Sequence, residues 1–350
     1  MTDSPAELTR LAPFPAALSL PENYPRHDPD REAARQAVTG LIGEADWVSL
    51  CWADLVDRLI ALGRTDVPLS RLAEGHLDAL RICDQAGAMV VPNALYGVWA
   101  SRSQASGVRA FRRGNQLVLD GTIRFASGAG IIDRALVPVW CDDGSHLLVD
   151  LDATTLPIDR TGWMTGAMQV SQSHAVAVED RPVAADDQVG ADNFYLSRPQ
   201  FFPGGVGVAA VWVGNAARVV DALRGWLGPG PSGPAKDLRL GRIRTGLAVG
   251  AALVRSAGTR LDDLLPLGAS IDASPAEQRL MHELATEARA GVGDAVGRLL
   301  GEVRCVAGPA GLAYDAALTH AVDDLALYVL QQNADGDQAF LGSTWWSRGS

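Results

Sequence analysis

The chain has little cysteine. Its 350 residues contain four, Cys51, Cys83, Cys141 and Cys305, all far apart. That spacing offers neither the close pairs of a zinc site nor the density of a disulfide scaffold, so a reduced, cytoplasmic setting and no metal centre are expected. Positive charge is also scarce, with 30 Lys and Arg against 41 Asp and Glu and a formal net charge of -11. This excludes the basic face that nucleic acid or an anionic membrane would need. No apolar run is read as long enough to span a bilayer, and the Met-Thr-Asp-Ser opening lacks the basic and apolar regions of a signal peptide, so neither membrane insertion nor secretion is expected. P-loop, HExxH and GxSxG motifs are missing, the six histidines stand apart, and there is no internal repeat. What remains is an ordinary globular protein acting on a small soluble ligand.

Organisation follows from the changing hydrophobic period. Residues 1–35, rich in proline and charge (Pro5, Pro13, Pro15, Pro21, Pro25, then His27 to Arg31), read as an irregular arm draped over the body. Residues 36–92 form a helical subdomain, with Leu55, Leu59, Ile60, Leu72, Leu77 and Leu80 at helical spacing and breaks at Gly63 and Pro68. Over 93–195 the period becomes two, which predicts an antiparallel β-domain with a hairpin at Asp142-Asp143-Gly144. Residues 196–345 return to helix. Val206 to Leu227, Arg242 to Leu265, a helix capped by the Ser274-Pro275-Ala276-Glu277 box and ending at Gly308-Pro309, and one capped by Asp315 form a four-helix bundle. Runs of helix, strand and helix make an α+β protein. Gly205-x-Gly207-x-x-Ala210 has the letters of a dinucleotide fingerprint but follows Arg198 to Pro203 rather than a buried strand, so it reads as a helix start. His320 and Asp324 share a helix face at i, i+4 and read as a surface pair.

One stretch carries most of the functional signal. Gln116 to Val139 holds an Asp120-Gly121 pair expected to reverse the chain, an alternating strand from Thr122 to Phe125, and the run Ala126-Ser127-Gly128-Ala129-Gly130. That run has almost no side-chain bulk, so a planar ligand can lie directly on it. Nine tryptophans, with Trp99, Trp140, Trp163 and Trp212 in or near this region, supply flat apolar partners.

Gly121-Thr-Ile-Arg124-Phe125-Ala-Ser127-Gly128 resembles the flavin-flanking strand of the acyl-CoA dehydrogenase family, and Ile132 to Val137 parallels its continuation. Gly166-Ala-Met168-Gln-Val-Ser171 and Val176 to Val183 resemble later elements of the same β-domain. The resemblance covers about residues 90–342 and implies a helical domain, a β-domain and a C-terminal four-helix bundle holding FAD. Carried over residue by residue, it assigns cofactor binding to Trp99 and Ser101 in the upstream loop, to Phe125 and Ser127 on the strand, and to Gly308 and Gly311 in the bundle turn. It also places Gln332 where many relatives carry the catalytic glutamate, and Gly204 near the alternative position. Neither can take an α-proton. Asp335 and Asp337, just beyond Gln332, are the nearest carboxylates. Lys236, Arg239, Arg242 and Arg244 stand after the linker where the family's phosphate arginine lies.

The activity the resemblance implies is α,β-dehydrogenation of an acyl thioester such as a CoA ester, by a homo-oligomer passing electrons to an electron-transfer flavoprotein. The alternatives are a flavin-dependent oxygenase or N-oxidase, which needs no glutamate at Gln332, and a degenerate paralogue serving as a structural subunit.

Overall fold

The computed structural model describes residues 13–347 apart from 23, 26–29, 44, 104–105, 115, 231–232 and 267–272. Much of the expected N-terminal arm, His27 included, therefore lies outside the described residues. The part within them is draped: Leu18 N–H donates to Thr65 Oγ1, and Arg64 and Arg255 donate to the carbonyls of Pro15 and Pro13. Helix begins at Arg31, where Asp30 caps α1 (Arg31–Ile42) through the Ala33 N–H.

Helices α2 (Trp52–Thr65) and α3 (Val67–Ala86) follow. Gly63 does not break α2. It lies inside the helix at a crossing with α5 (Gly204–Leu227), where a Cβ on Gly63 would stand 2.3 Å from Val211 O. The glycine is there for close approach rather than for a turn. Pro68 sits at the start of α3, where its missing N–H costs nothing, and Asp66 caps Leu69.

Seven strands form one sheet: β1 (Tyr96–Val98), β2 (Gly107–Arg113), β3 (Gln116–Ala126), β4 (Arg134–Cys141), β5 (His146–Asp152), β6 (Ile158–Asp159) and β7 (His174–Val183). The sheet is mixed, not antiparallel as expected. β1 and β2 lie one after the other along a single edge of β4 and both run parallel to it, while β5 pairs antiparallel on its other edge. Asp120-Gly121 is no reversal either. β3 runs straight through it, with Asp120 opposite Arg109 and Gly121 opposite Val108. Gly121 has φ +151 and approaches Gly107 so closely that a Cβ would meet its carbonyl at 2.3 Å. Two strand partners outweigh one local turn preference. The hairpin at Asp142 to Gly144 does form, joining β4 to β5.

After the short α4 (Phe194–Ser197) come α5, α6 (Pro234–Leu264), α7 (Pro275–Tyr314), α8 (Ala316–Tyr328) and α9 (Ala334–Ser347). α6 starts eight residues before the expected Arg242 because Pro234 itself takes the first helical position. The Ser274 capping box and the Asp315 cap form as expected. Gly308, at φ +64, breaks α7 before Pro309. α5 is long and apolar enough to cross a membrane, contrary to the expectation that no run would be, and 83% of its apolar window is buried among the other elements. Its hydropathy is that of a central core helix.

Candidate functional site

The end of β3 is unusual. Phe125 has φ +57 and is 61% exposed, its ring set edge-on to Trp163 at 6.2 Å. A left-handed backbone is costly for a bulky residue, and holding an aromatic ring out to solvent forgoes its burial, so function is the natural account of both. The small-residue turn follows. Gly128 there has φ +80 and faces Leu72 of α3 so closely that a Cβ would lie 3.2 Å from the leucine methyl.

Trp99 is buried behind the turn and donates from Nε1 to Ser127 O at 2.9 Å. Ser101 accepts at both its carbonyl and its hydroxyl from Ser106 Oγ, which itself accepts from Arg124 N–H. The structure thus gathers Trp99, Ser101, Phe125 and Ser127 around one turn. Gly308 and Gly311 stand apart from it: Gly311 packs on Trp226 at the far end of α5, where a Cβ would be 2.9 Å from the indole nitrogen.

The serines form a directed relay. Ser127 Oγ lies 2.9 Å from Ser173 Oγ, Ser173 Oγ lies 2.8 Å from Ser171 Oγ, and Ser171 donates to Met168 O at 2.7 Å. Each hydroxyl has one proton. With the proton of Ser171 committed, Ser173 donates to Ser171 and Ser127 donates to Ser173, which leaves Ser127 Oγ as an acceptor toward a ligand. Met168 N–H in turn donates to Asp324 on α8, joining the sheet to the bundle. Asp324 is buried, and burial pushes its carboxyl up to about 7, with Asp66 and Asp323 adding and the Met168 N–H opposing. Asp324 is thus buried rather than on the surface as expected, and with the exposed His320 it lines a cavity of about 70 Å³ that also includes Arg218 and Asp66.

Gln332 stands in the loop before α9, and its Nε2 donates to Asp337 Oδ2 at 3.0 Å. The position holds an amide tied to a carboxylate. Asp335 is exposed on the first turn of α9. A cleft of about 320 Å³ opens beside this loop, where His282 is sandwiched between Phe202 and Phe340 at centroid distances of 3.6 and 3.9 Å. Burial lowers the His282 pKa, against the opposing pull of Asp337 and Glu283. A neutral imidazole suits a stack between two apolar rings.

Sequence reasoning missed the other wall of the site. α3 carries Arg71, Glu74, Asp78 and Arg81 at helical spacing on an otherwise buried helix. Glu74 is 8% exposed and paired with Arg71 at 2.8 Å, and burial raises its pKa against that arginine. Tyr328 of α8 donates to Glu74 at 3.4 Å and stands edge-on to the wholly buried Trp212 of α5. Arg289 of α7 lies over Trp212 and donates to Gln331 O beside Gln332. α3 is thus a shared partition, with Leu72 against the Phe125 turn and Glu74 in the interior behind it. The available signal was a set of charges three and four apart on a helix that also carries many apolar residues. The basic residues after the linker are used otherwise: Arg239 and Arg242 both pair with Glu302, while Lys236 and Arg244 are exposed.

No protein-family model and no curated protein sequence matches the chain. Solved structures do. FMN-bound TdsC, a dibenzothiophene monooxygenase from Paenibacillus sp. A11-2, matches 91% of this chain and 90% of its own, with TM-score 0.75 and 15% identity. The nitrososynthase from Micromonospora carbonacea var. africana matches 89% of this chain and 88% of its own, with TM-score 0.73 and 17% identity. XiaF from Streptomyces sp., in complex with FADH2 and glycerol, matches 92% of this chain and 89% of its own, with TM-score 0.69 and 18% identity. The chain has their fold. At these identities the likeness settles the α+β architecture and leaves the chemistry to be argued from the residues.

Proposed function

We propose that this chain is a flavin-dependent monooxygenase. The observation that carries the reading is Gln332: where a dehydrogenase needs a carboxylate for the α-proton, this chain has an amide held on Asp337. Asp337 is committed to that amide, and Asp335 points from an exposed helix turn. The reading is also supported by neighbours named a monooxygenase and a nitrososynthase, one with FMN bound, and by a third bound to FADH2.

The residues present fit a flat cofactor. Phe125 offers an exposed ring face beside Trp163, the Ser127 to Gly130 turn offers backbone without bulk, and Ser127 Oγ is left as an acceptor, the complement of a ring N–H. Bound there, a reduced flavin supplies two electrons to dioxygen, so that one oxygen atom enters the substrate and the other leaves as water. The chain's own part is positional. Phe125 and Trp163 hold a ring plane, the three serines fix a proton's direction, and α3 separates that plane from the interior where Tyr328 and Glu74 meet. The expectation of FAD becomes a proposal of flavin, with FAD and FMN decided by binding.

The test is direct. The purified chain is titrated with FMN and FAD, reduced and oxidised, then supplied with reduced flavin from a separate reductase and NADH, and oxygen uptake is followed with candidate substrates. Tight flavin binding and substrate-dependent uptake are expected. Dye reduction by an acyl-CoA would restore the dehydrogenase reading, and a chain that binds no flavin would leave the structural-subunit reading.

A further inference from the structure

The interior behind α3 contains more positive charge than it neutralises. Arg198, in the segment between α4 and α5, is only 5% exposed and has no carboxylate within ion-pair distance among the described residues. Its NH1 donates to Tyr195 O, its guanidinium lies 4.5 Å over Tyr195 and 5.2 Å over Phe201, and its Nε has no partner. Arg289 is half-buried and likewise has no carboxylate within ion-pair distance among the described residues. Its polar contact is the Gln331 carbonyl at 3.4 Å, and its Nε is buried without a partner, as is Nε1 of the Trp212 it covers. The start of α5 places Arg289 near Asp78, since a Cβ on Gly205 would lie 3.7 Å from Arg289 and one on Gly204 would lie 3.8 Å from Asp78. The Tyr195 hydroxyl, pushed up to about 12 by burial, feels Arg198 together with Asp78 and Glu74.

The charges decide what is missing. Arg71, Arg81, Arg198 and Arg289 face Glu74, Asp78 and Asp84, and Glu74 is taken by Arg71 at 2.8 Å. Asp78 and Asp84 are both close enough to Arg81 to oppose the burial that lowers its pKa. Arg198 and Arg289 remain over. A trapped water can satisfy a lone donor, but it cannot neutralise a guanidinium, and an uncompensated buried cation is costly. The ring contacts of Arg198 offset part of that cost, as cation–π pairs do, without supplying a negative charge. The surroundings are aromatic: Tyr195 and Phe201 lie against Arg198, and Trp212 lies against Arg289.

We infer that this interior cluster binds the substrate's anionic group, a carboxylate or sulfonate on an aromatic or similarly flat body, held between Arg198 and Arg289 with the Trp212 indole N–H as a third donor. The inference rests on the oxygenase reading for calling the ligand a substrate, but the anion site itself needs neither flavin nor turnover. An anion there returns the cluster to near neutrality and supplies acceptors to three orphaned donors at once.

The experiment is calorimetric titration of the full-length, flavin-free chain with benzoate and with its neutral analogue benzamide, supported by quenching of Trp fluorescence. Benzoate is expected to saturate in the micromolar to millimolar range and benzamide to bind far more weakly. Arg289→Gln is expected to weaken benzoate by roughly tenfold to a hundredfold, the loss typical of one charge-assisted hydrogen bond, and Arg239→Gln to leave it unchanged. Arg198→Gln is expected to do the same as Arg289→Gln; where it fails to fold, Arg198→Lys keeps the charge and is expected to retain part of the binding. Equal binding of benzamide, absence of saturable benzoate binding, or benzoate binding unaffected by Arg289→Gln would overturn the site. Benzoate binding that persists while oxygen uptake fails would remove the monooxygenase reading and leave the anion site standing.

Discussion

The crossing of α2 and α5 makes a prediction in which two opposed effects of one methyl group can be weighed. Gly214 lies in the interior of α5. In an exposed helix interior, Gly→Ala gains about 0.5–1 kcal/mol from the smaller backbone entropy lost on folding. At Gly214 the added Cβ would stand 2.2 Å from Ile60 O, 2.8 Å from Arg64 N and 2.8 Å from Gly63 Cα. All three are backbone atoms of α2, so no side chain can swing aside, and the helices must part by about 1 Å to restore ordinary van der Waals distances. Overpacking of this kind costs about 1–3 kcal/mol, and a helix displacement also strains the bond from Ser70 Oγ to Asn215. The clash wins: Gly214→Ala is expected to destabilise by roughly 1 kcal/mol net. Gly225→Ala, on the same helix with open space where its Cβ would go, is expected to stabilise by about 0.5–1 kcal/mol. Urea unfolding followed by far-UV circular dichroism reads both, as opposite shifts of the midpoint. A Gly214→Ala chain as stable as Gly225→Ala would refute the backbone contact between the two helices.

Asp324→Asn tests the buried carboxyl: its folded value of about 7 lies above the ordinary 3.8, so the native state binds the extra proton between these limits and stability falls as pH rises through that window. The loss by pH 8 is on the order of 4 kcal/mol at most, and because Asn keeps an acceptor for the Met168 N–H, the variant should have the higher urea midpoint at pH 8 and the two should converge near pH 4; an equal gap at both pH values would contradict the assignment. Gln332→Glu sets a second carboxylate against Asp337, so it is expected to gain no acyl-CoA-dependent dye reduction and to lose about 1 kcal/mol of stability at neutral pH, recovered in the Gln332→Glu/Asp337→Asn pair; dye reduction by the single variant would show a competent dehydrogenase cleft.

Features fixed by local chemistry were legible in the sequence. The Ser274 capping box, the Asp315 cap and the Asp142 to Gly144 hairpin each depend on residues within a few positions of one another, and each formed where the sequence placed it. The readings that failed treated glycine as a local signal. Gly63 and Gly121 suggested a helix break and a turn, whereas both serve a partner far away in sequence, α5 in one case and Gly107 in the other. The sheet's mixed pairing depends on the route from β3 back to β4, which no period of hydrophobicity records. Within the site, the Phe125 turn was readable because its bulk pattern is contiguous. The arginine cluster was not, because Arg71, Arg198 and Arg289 come from three separate segments and each looks like an ordinary surface arginine alone.

The two halves of the site are joined by the same helices that form the core. α5 bears Gly214 against α2, Asn215 against Ser70 of α3, and Trp212 against Tyr328 and Arg289. α3, fixed in this way, bears Leu72 against the Phe125 turn and Glu74 against Tyr328. A shift of α5 must therefore move the partition between the ring platform and the arginine pocket, since buried, close-packed helices transmit displacement rather than absorb it. Arg198 is the exception, being carried on the irregular segment before α5 and held by aromatic stacking rather than by a helix. Adaptation to a different anion is thus expected to arise at Arg198 and its aromatic neighbours, and to leave the α3 and α5 contacts unchanged.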